Sequence, residues 1–188
     1  MKLKPATFGV MNAEEYYEYL CIQRSDINEH MPILRELASQ CRHITEFGFR
    51  TGISTMAFIC GSPEILITYD IDISCNMAFE ELKPYAAEKG VKFDFIVDDT
   101  GTFMIPRTDM LFIDTWHNAI QITKELFHSG NQARKFLVFH DTMTFGVEGE
   151  KGGDGIIKPI KDFMALNRFW KIKYHFDYNN GLLILERK

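Results

Sequence analysis

The segment Glu46-Phe47-Gly48-Phe49-Arg50-Thr51-Gly52-Ile53-Ser54 constrains the fold of this chain more than any other stretch of the sequence. It joins an apolar run typical of a strand, 44–47, to an apolar run typical of a helix, 53–59. The two glycines permit positive φ angles and a close approach of the backbone to a ligand. The helix that follows offers free N–H groups and the positive end of its dipole to an anion. The pattern therefore predicts a strand–loop–helix unit that binds a nucleotide-type cofactor.

Length and charge narrow the class of protein. A chain of 188 residues predicts a single domain, 1–188, with an N-terminal helical segment, 1–41, that packs on its core. The net charge is −5 and the basic residues are scattered, which argues against nucleic acid as a partner. No apolar run approaches the roughly 18 residues of a membrane span, and the N-terminus has no apolar signal core. Four cysteines without a close pair indicate free thiols, so we expect a cytoplasmic protein.

Strand and helix patterns alternate through most of the chain. Two N-terminal helices are predicted at 12–23, with Asn12 as its cap, and at 28–40, with Asp26 or Asn28 as its cap. Strands are then expected near 43–47, 65–69, 92–97, 109–114 and 135–140, and helices near 53–60, 75–89, 117–129 and 156–167. Nearly continuous apolar strands are typical of a parallel sheet that is covered on both faces. The alternation predicts a doubly wound α/β sheet with helices on both faces.

The C-terminal residues depart from this alternation. Two strand-like runs, 170–176 and 182–186, are joined by Asp177-Tyr178-Asn179-Asn180-Gly181, and Asn-Gly is a strong tight-turn signal. We therefore expect an antiparallel hairpin at one edge of the sheet. With the five preceding strands it completes a mostly parallel, seven-stranded sheet.

From Ile44 onward the chain resembles the class I S-adenosylmethionine-dependent methyltransferases. The first loop has the E-x-G-x-x-x-G-x-S form of the catechol and sugar O-methyltransferase-like branches. The tail motifs resemble those of small bacterial and phage members near the cephalosporin-hydroxylase-like proteins: Phe139-His140-Asp141-Thr142, Thr144-Phe145-Gly146, Gly155-Ile156 and Asn179-Asn180-Gly181-Leu182. The resemblance implies a Rossmann-like methyltransferase fold. A nicotinamide-dependent dehydrogenase is disfavoured because Arg50 interrupts the G-x-G-x-x-G pattern.

The resemblance implies S-adenosyl-L-methionine as the cofactor and a role for each matching residue. Gly48 and Gly52 would let the loop enclose the methionine part, with Arg50 between them. Ser54 would hydrogen-bond the carboxylate of that part. Glu46 would either order the loop or reach the cofactor amino group through water. The simpler alternative for this stretch is a strand–turn–helix junction with a capping serine.

The next two strand ends supply candidates for the nucleoside part. Asp70 ends the second strand, where a carboxylate can accept hydrogen bonds from both ribose hydroxyls, and Asp72 is the alternative. By resemblance, Asp98 or Asp99 would meet the adenine amino group, beside Thr100. Trp116 would stack on adenine or pack in the core, and packing is the expected outcome.

Strands four and five are followed by the residues that suggest a reaction. Asp114 and Asp141 are expected at adjacent strand ends, and the matching positions of metal-dependent O-methyltransferases hold a divalent cation. Oxygen ligands suit Mg²⁺ or another hard cation. The third expected ligand, an asparagine in the catechol-type enzymes, is Thr142 here, with His140 as a substitute. His117 stands where those enzymes have a lysine base, and its ordinary pKa of about 6.5 suits proton removal near neutral pH.

The function predicted on this basis is O-methylation of a small hydroxyl-bearing acceptor such as a sugar or glycan. The Gly-rich, acidic segment 144–155 is expected to be a mobile lid over that acceptor. The two N-terminal helices would cover the cofactor crevice or form a homodimer contact. Two alternatives of the same fold are a metal-dependent hydroxylase-like protein and a catalytically inactive S-adenosylmethionine-binding protein.

Overall fold

The computed structural model describes residues 11–188, which form a seven-stranded sheet with helices on both faces. The helices are α1 (Ala13–Ile22), α2 (Met31–Ser39), α3 (Ile53–Gly61), α4 (Asn76–Glu88), α5 (Ala119–Ser129) and α6 (Ile157–Leu166). The strands are β1 (His43–Phe47), β2 (Ile65–Asp70), β3 (Lys92–Val97), β4 (Thr108–Ile113), β5 (Ala133–His140), β6 (Trp170–Phe176) and β7 (Leu182–Arg187). Within this part of the chain, no helix is both long and apolar enough to cross a membrane.

The strand order is β3-β2-β1-β4-β5-β7-β6. The first five strands are parallel, and β7 runs antiparallel to both β5 and β6. The predicted doubly wound sheet with a C-terminal antiparallel hairpin is therefore confirmed. The order reverses between β1 and β4, and in open α/β sheets a ligand crevice lies outside the carboxyl ends of the strands at such a reversal.

Side-chain alternation along the central strands builds the two halves of the core. On β4, Met110 and Phe112 pack with the cluster that includes α1 to α4, whereas Leu111 and Ile113 pack with α5 and α6. Successive residues of a strand point to opposite faces, so a strand covered on both sides is apolar along most of its length. All six residues of β4 are buried. The four cysteines are free thiols, and three of them are buried in or beside this core.

Helix caps show where local sequence determined the boundaries. Asn12 caps α1 as predicted, because its side chain accepts from Glu15 N while the Glu15 carboxylate accepts from Asn12 N. The predicted caps of the second helix are wrong. A short 3-10 turn, Asn28–His30, precedes α2, and neither Asp26 nor Asn28 caps it.

The register brings three strand ends to one level of the sheet. Phe47 pairs with Ile113, and Ile113 pairs with Phe139. The residues that follow these positions, Gly48, Asp114 and His140, therefore lie side by side at the carboxyl edge. This alignment places the chemically important side chains within reach of one another.

Candidate functional site

A cavity of about 600 Å³ opens at the carboxyl edge where the strand order reverses. It is lined by residues that follow four neighbouring strands and by residues of α5 and the segment after β5. Of the predicted cofactor-binding residues, the lining includes Gly48, Arg50, Asp70, Asp98, Asp99, Thr100, Asp114 and Trp116. The position at the reversal is where a doubly wound sheet binds its ligand.

Gly48 is required by the packing between the first loop and β4. Its φ is +89°, and a Cβ at this position would lie 2.0 Å from the backbone oxygen of Asp114. Gly52 also has a positive φ, +74°, and its missing Cβ leaves room for Leu82. The two glycines thus let the loop lie directly on its neighbours, and only Gly48 reaches the cavity wall.

Glu46 is completely buried beneath this loop. Its two carboxylate oxygens accept hydrogen bonds of 2.6 Å from the hydroxyls of Ser54 and Thr55. Burial raises the pKa of Glu46 to about 7 against the opposite effect of these hydrogen bonds. The contacts therefore order the loop, which was one of the two roles expected for Glu46. Ser54 also lines a small depression beside Asp26, Gly48 and Asp114.

The raised pKa of Glu46 predicts a pH-dependent stability. In the folded state Glu46 binds a proton that the unfolded chain releases near pH 4.5, so its contribution to stability falls as pH rises from about 4.5 to about 7. Glu46→Gln is expected to flatten this decline. The free energy of unfolding of the variant should therefore rise relative to that of the wild type as the pH increases from about 4.5 to about 7. Urea denaturation at several pH values measures the free energy of unfolding, and Glu80→Gln on the surface is the control. If the free energies of unfolding of the wild type and Glu46→Gln differ by the same amount at pH 4.5 and pH 7, the raised pKa of Glu46 is contradicted.

Asp70 and Arg50 form the wall next to β2. The Asp70 carboxylate accepts from the backbone N–H groups of Arg50, at 2.9 Å, and of Asp72, at 3.0 Å. Arg50 has a φ of +48°, and its guanidinium pairs with Asp26 at 2.8 Å. The Asp72 carboxylate is bound to Ser74, so Asp70 is the acid of the two that lines the cavity.

The loop after β3 lines the cavity beside the end of β2. Asp98 and Asp99 each accept a hydrogen bond from a backbone N–H of their own loop, from Asp99 and Gly101 respectively. Thr100 is buried, and its hydroxyl donates to the Glu125 carboxylate of α5. Both acids still line the cavity, so either can meet a ligand.

Asp114, His117, His140 and Asp141 converge beside this cavity. His117 Nε2 lies 3.0 Å from both Asp114 Oδ1 and Asp141 Oδ2. His140 Nδ1 lies 3.2 Å from Asp114 Oδ1 and 3.7 Å from Asp141 Oδ2. Asp141 has a φ of +58°, a conformation that is uncommon outside glycine and tends to occur at functional sites.

The two carboxylates change the acidity of the histidines. Burial alone would lower the pKa of His117, but its hydrogen bonds to Asp114 and Asp141 outweigh burial and raise the pKa to about 10. The pKa of His140 is raised in the same way, mainly through Asp114. That of Asp114 is well below its ordinary value, because the bonds from both histidines outweigh its burial. These contacts therefore hold the pKa of His117 above the ordinary value of about 6.5 that suits proton removal near neutral pH.

His140 and Thr142 have different surroundings. His140 Nε2 faces the backbone oxygens of Asp26 and Asn179, which can only accept, so this nitrogen carries a hydrogen and Nδ1 faces the two aspartates. The Thr142 hydroxyl lies 3.2 Å from His175 Nε2. Asp114, His140 and Asp141 offer ligand atoms that all lie within 4.8 Å of one another. The residue expected as a substitute ligand is thus the one that joins the two aspartates.

Trp116 and the segment 144–155 differ from their expected roles. Trp116 is 51% exposed at the cavity, with the Lys151 ammonium 5.2 Å from its ring centroid, so it does not pack in the core. The segment folds back on itself and is attached to the rest of the site. Glu150 N donates to His117 O, and Ala119 N donates to Asp154 O. The Phe145 ring stacks on His117, so the segment is docked against the site as a turn in this structure.

Several residues of the site were not identified from the sequence. Gln121 and Lys124 of α5 line the cavity, and Glu125 lies completely buried behind them. A glutamate or glutamine inside a helical pattern normally indicates a solvent-exposed face. Only the packing of α5 against the loops after β3 and β4 distinguishes these residues from surface positions.

Comparison with known proteins supports the fold. No family model matches the chain, and no curated protein matches it in sequence. Among solved structures, an O-methyltransferase from Bacillus cereus in complex with S-adenosylhomocysteine has a TM-score of 0.64 and 14% identity, over 85% of this chain and 81% of that one. The O-methyltransferase TomG from Streptomyces achromogenes, involved in tomaymycin synthesis and in complex with S-adenosylmethionine, has a TM-score of 0.61 and 17% identity. That similarity covers 89% of this chain and 82% of that one.

A methyltransferase from Podospora anserina, bound to S-adenosylhomocysteine, extends the similarity to 97% of this chain and 91% of that one, with a TM-score of 0.59 and 16% identity. The chain therefore has the Rossmann-like fold of the S-adenosylmethionine-dependent methyltransferases. Because these identities are low and a fold can host several functions, activity must be argued from the site.

Proposed function

We propose that this protein is an S-adenosyl-L-methionine-dependent methyltransferase that acts on a hydroxyl group of a small acceptor, such as a sugar or glycan. The observation that carries the proposal is the convergence of Asp114, His117, His140 and Asp141 beside the cavity at the reversal of the strand order, with Asp114 and His117 in its wall. Buried acids and a base that meet beside a ligand cavity are typical of a catalytic site.

The cofactor would follow the carboxyl edge of the sheet. Its ribose hydroxyls would bind the Asp70 carboxylate, and its methionine part would lie on the loop of Gly48 and Arg50 near Ser54. Glu46 and Gly52 support that loop from below. Exposed Trp116 offers an aromatic face at the same cavity, where adenine could stack.

The residues present also fit a divalent cation as a second cofactor. Asp141 Oδ1 is buried without a hydrogen-bond partner among the described residues, and Asp114, His140 and Asp141 offer three ligand atoms within 4.8 Å of one another. A divalent cation bound there would lower the pKa of a hydroxyl that it coordinates. The nitrogen of His140 in place of the oxygen of Thr142 favours ions that accept mixed ligands, such as Mn²⁺, beside Mg²⁺.

Methyl transfer at this site requires a proton acceptor and an aligned hydroxyl. S-adenosylmethionine bound there would supply the methyl group: the acceptor oxygen would bond to the methyl carbon as the carbon–sulfur bond breaks, and the electron pair of that bond would remain on sulfur in S-adenosylhomocysteine. The hydroxyl proton would pass to His117 Nε2. Because the two aspartates raise the pKa of His117 to about 10, His117 would accept this proton only after releasing its own to solvent. Holding the hydroxyl about 3 Å from the methyl carbon would supply much of the rate.

A second candidate follows from the position of His117. Its Nε2 lies between the two aspartates, 3.0 Å from each, where it satisfies their charge without an added ion. This contact favours an S-adenosylmethionine-binding protein that uses no metal or has no catalytic activity. Assays of S-adenosylhomocysteine formation with a panel of sugar and other hydroxyl acceptors, in Mg²⁺, Mn²⁺ or EDTA, separate the candidates. Turnover that depends on the ion supports the first, and turnover that is unaffected by EDTA supports a metal-free site.

Asp70→Ala tests the cofactor assignment. We expect the variant to bind S-adenosylmethionine about 10- to 100-fold more weakly than the wild type, because it loses charge-assisted hydrogen bonds to the ribose. Isothermal titration calorimetry, with and without Mg²⁺, measures the change. Asp162→Ala, an exposed acid of α6, is the control. Equal binding by the wild type and Asp70→Ala would contradict the assignment, and a selective loss in Asp72→Ala would move the role to Asp72.

A homodimer contact or a small-molecule acceptor would complete the open side of the cavity. The net charge of −5 is unfavourable for nucleic acid as the acceptor. Analytical ultracentrifugation of the full chain tests the homodimer.

A further inference from the structure

The buried carboxylate of Glu125 lies behind the cavity wall formed by the loops after β3 and β4. It is completely buried on α5, one turn after Gln121. Its oxygens accept from the hydroxyls of Thr100 and Thr115 and from Gln121 Nε2, the last at 2.9 Å. One side chain therefore joins two cavity-forming loops to the helix that supports them.

Glu125 also fixes which end of the Gln121 amide remains free. An ionised carboxylate only accepts hydrogen bonds, so the NH₂ group of Gln121 must face it. The same NH₂ group lies 3.3 Å from Thr100 Oγ1. The donors of Gln121 are thus turned toward Glu125 and Thr100, and its carbonyl oxygen is left for another partner.

The free carbonyl oxygen belongs to a residue of the cavity wall. Gln121 lines the cavity together with Asp99, Thr100 and Lys124. It lies close to the loop after β3, because a Cβ on Gly101 would be 3.3 Å from both Gln121 Nε2 and Asp99 Oδ1. A base bound against this loop would meet the Gln121 carbonyl as a hydrogen-bond acceptor.

We propose that Gln121, locked in one amide orientation by Glu125, reads the exocyclic amino group of the cofactor's adenine. This inference rests on the proposed function, since it assigns the adenine end of the same cavity. Gln121 is the contact residue and Glu125 is a positioning residue. Asp98 and Asp99 also line the cavity, each with one oxygen bound to its own loop, and are the competing acceptors that the test must separate from Gln121.

This fixed orientation of the Gln121 amide makes the site selective against a deaminated base. S-inosylhomocysteine carries an oxygen where S-adenosylhomocysteine carries the amino group, so two acceptors would face each other. Gln121 could relieve this only by turning its NH₂ group to the ligand, which would place its oxygen against the Glu125 carboxylate. A site whose polar groups cannot reverse discriminates strongly between such ligands.

The test compares the affinities of these two ligands by calorimetry. Measurements at pH 8 keep Glu125 ionised, because burial raises its pKa to about 7. We expect the wild type to bind S-adenosylhomocysteine at least about tenfold more tightly than S-inosylhomocysteine. Gln121→Met should weaken the binding of S-adenosylhomocysteine by about tenfold. The ratio of the affinities for the two ligands should then approach one.

Glu125→Gln separates positioning from general stability. A glutamine here can present either its oxygen or its NH₂ group, so Gln121 becomes free to reverse. We expect tighter binding of S-inosylhomocysteine, little change for S-adenosylhomocysteine, and a thermal midpoint near that of the wild type. Gln132→Met, in the turn after α5, is the control.

Each outcome of the experiment bears on a specific claim. An unchanged ratio in Gln121→Met, or a ratio that collapses only in Asp98→Asn or Asp99→Asn, would overturn the inference and leave the proposed function intact. A wild type that binds neither ligand would overturn the proposed function itself. If the ratio of the two affinities falls in Gln121→Met but not in Glu125→Gln, Gln121 contacts the adenine amino group but Glu125 does not fix its amide orientation.

Discussion

Replacing His117 with alanine is expected to lower kcat for methyl transfer by about 10²- to 10⁴-fold, the range that a positioned general base contributes. His117 Nε2 lies 3.0 Å from both Asp114 and Asp141, at the meeting point of the site. KM for S-adenosylmethionine should change much less, because the cofactor contacts that we propose lie chiefly in the loops after β1, β2 and β3. Steady-state formation of S-adenosylhomocysteine with an identified acceptor measures both constants.

His128→Ala is the matched control for this experiment. His128 lies on the last turn of α5, and its only aromatic contact among the described residues is Phe127, away from the cavity. Its kcat should match that of the wild type. If His117→Ala retains full turnover, His117 is not the proton acceptor and the metal-free bridging role becomes the better account of its position.

Gly48→Ala should be among the most destabilising single substitutions in this fold. The added Cβ would lie 2.0 Å from the backbone oxygen of Asp114, and the residue has a φ of +89°. Overpacking costs about 1–3 kcal/mol, and a left-handed backbone costs an alanine about 1–2 kcal/mol. We therefore expect the free energy of unfolding to fall by about 2–5 kcal/mol, measured by urea denaturation.

Gly90→Ala isolates the steric part of this effect. Gly90 has a similar positive φ of +70°, but nothing lies within 4 Å of a Cβ built on it. The free energy of unfolding of Gly90→Ala should fall only by the cost of a left-handed backbone at alanine, about 1–2 kcal/mol. Equal losses at the two positions would show that the contact with β4 contributes nothing, and that the first loop moves freely away from Asp114.

The architecture was predictable because the strands and the final turn have strong local signals. β3 and β6 have the bounds that their apolar patterns predicted, 92–97 and 170–176. The Asn-Gly turn places Asn179, Asn180 and Gly181 at positive φ, as a tight turn requires. The second helix was less well predicted, because Pro32 is compatible with a first helical turn but does not fix where that turn begins.

The site was predictable only in part, for a different reason. Strand ends are visible in sequence, so Asp70, Asp114 and Asp141 could be placed at the carboxyl edge. The pKa of His117 depends on its distances to two aspartates, and the burial of Glu125 depends on the packing of α5. The exposure of Trp116 and the docking of residues 144–155 likewise arise from contacts between distant parts of the chain. No local pattern encodes such distances.

The position of β7 has a consequence for how the sheet is assembled. Among the described strands, β6 pairs only with β7, and β7 pairs with β5. β6 is therefore hydrogen-bonded to the rest of the described sheet only through β7, and loss of β7 would leave the edge strand unpaired. Because β7 pairs with β5 as far as His140, the residue before Asp141, we expect docking of the hairpin to stabilise the carboxyl edge at the site. Refolding followed by a tryptophan signal from Trp170 in β6 and by cofactor binding should thus report a common final phase.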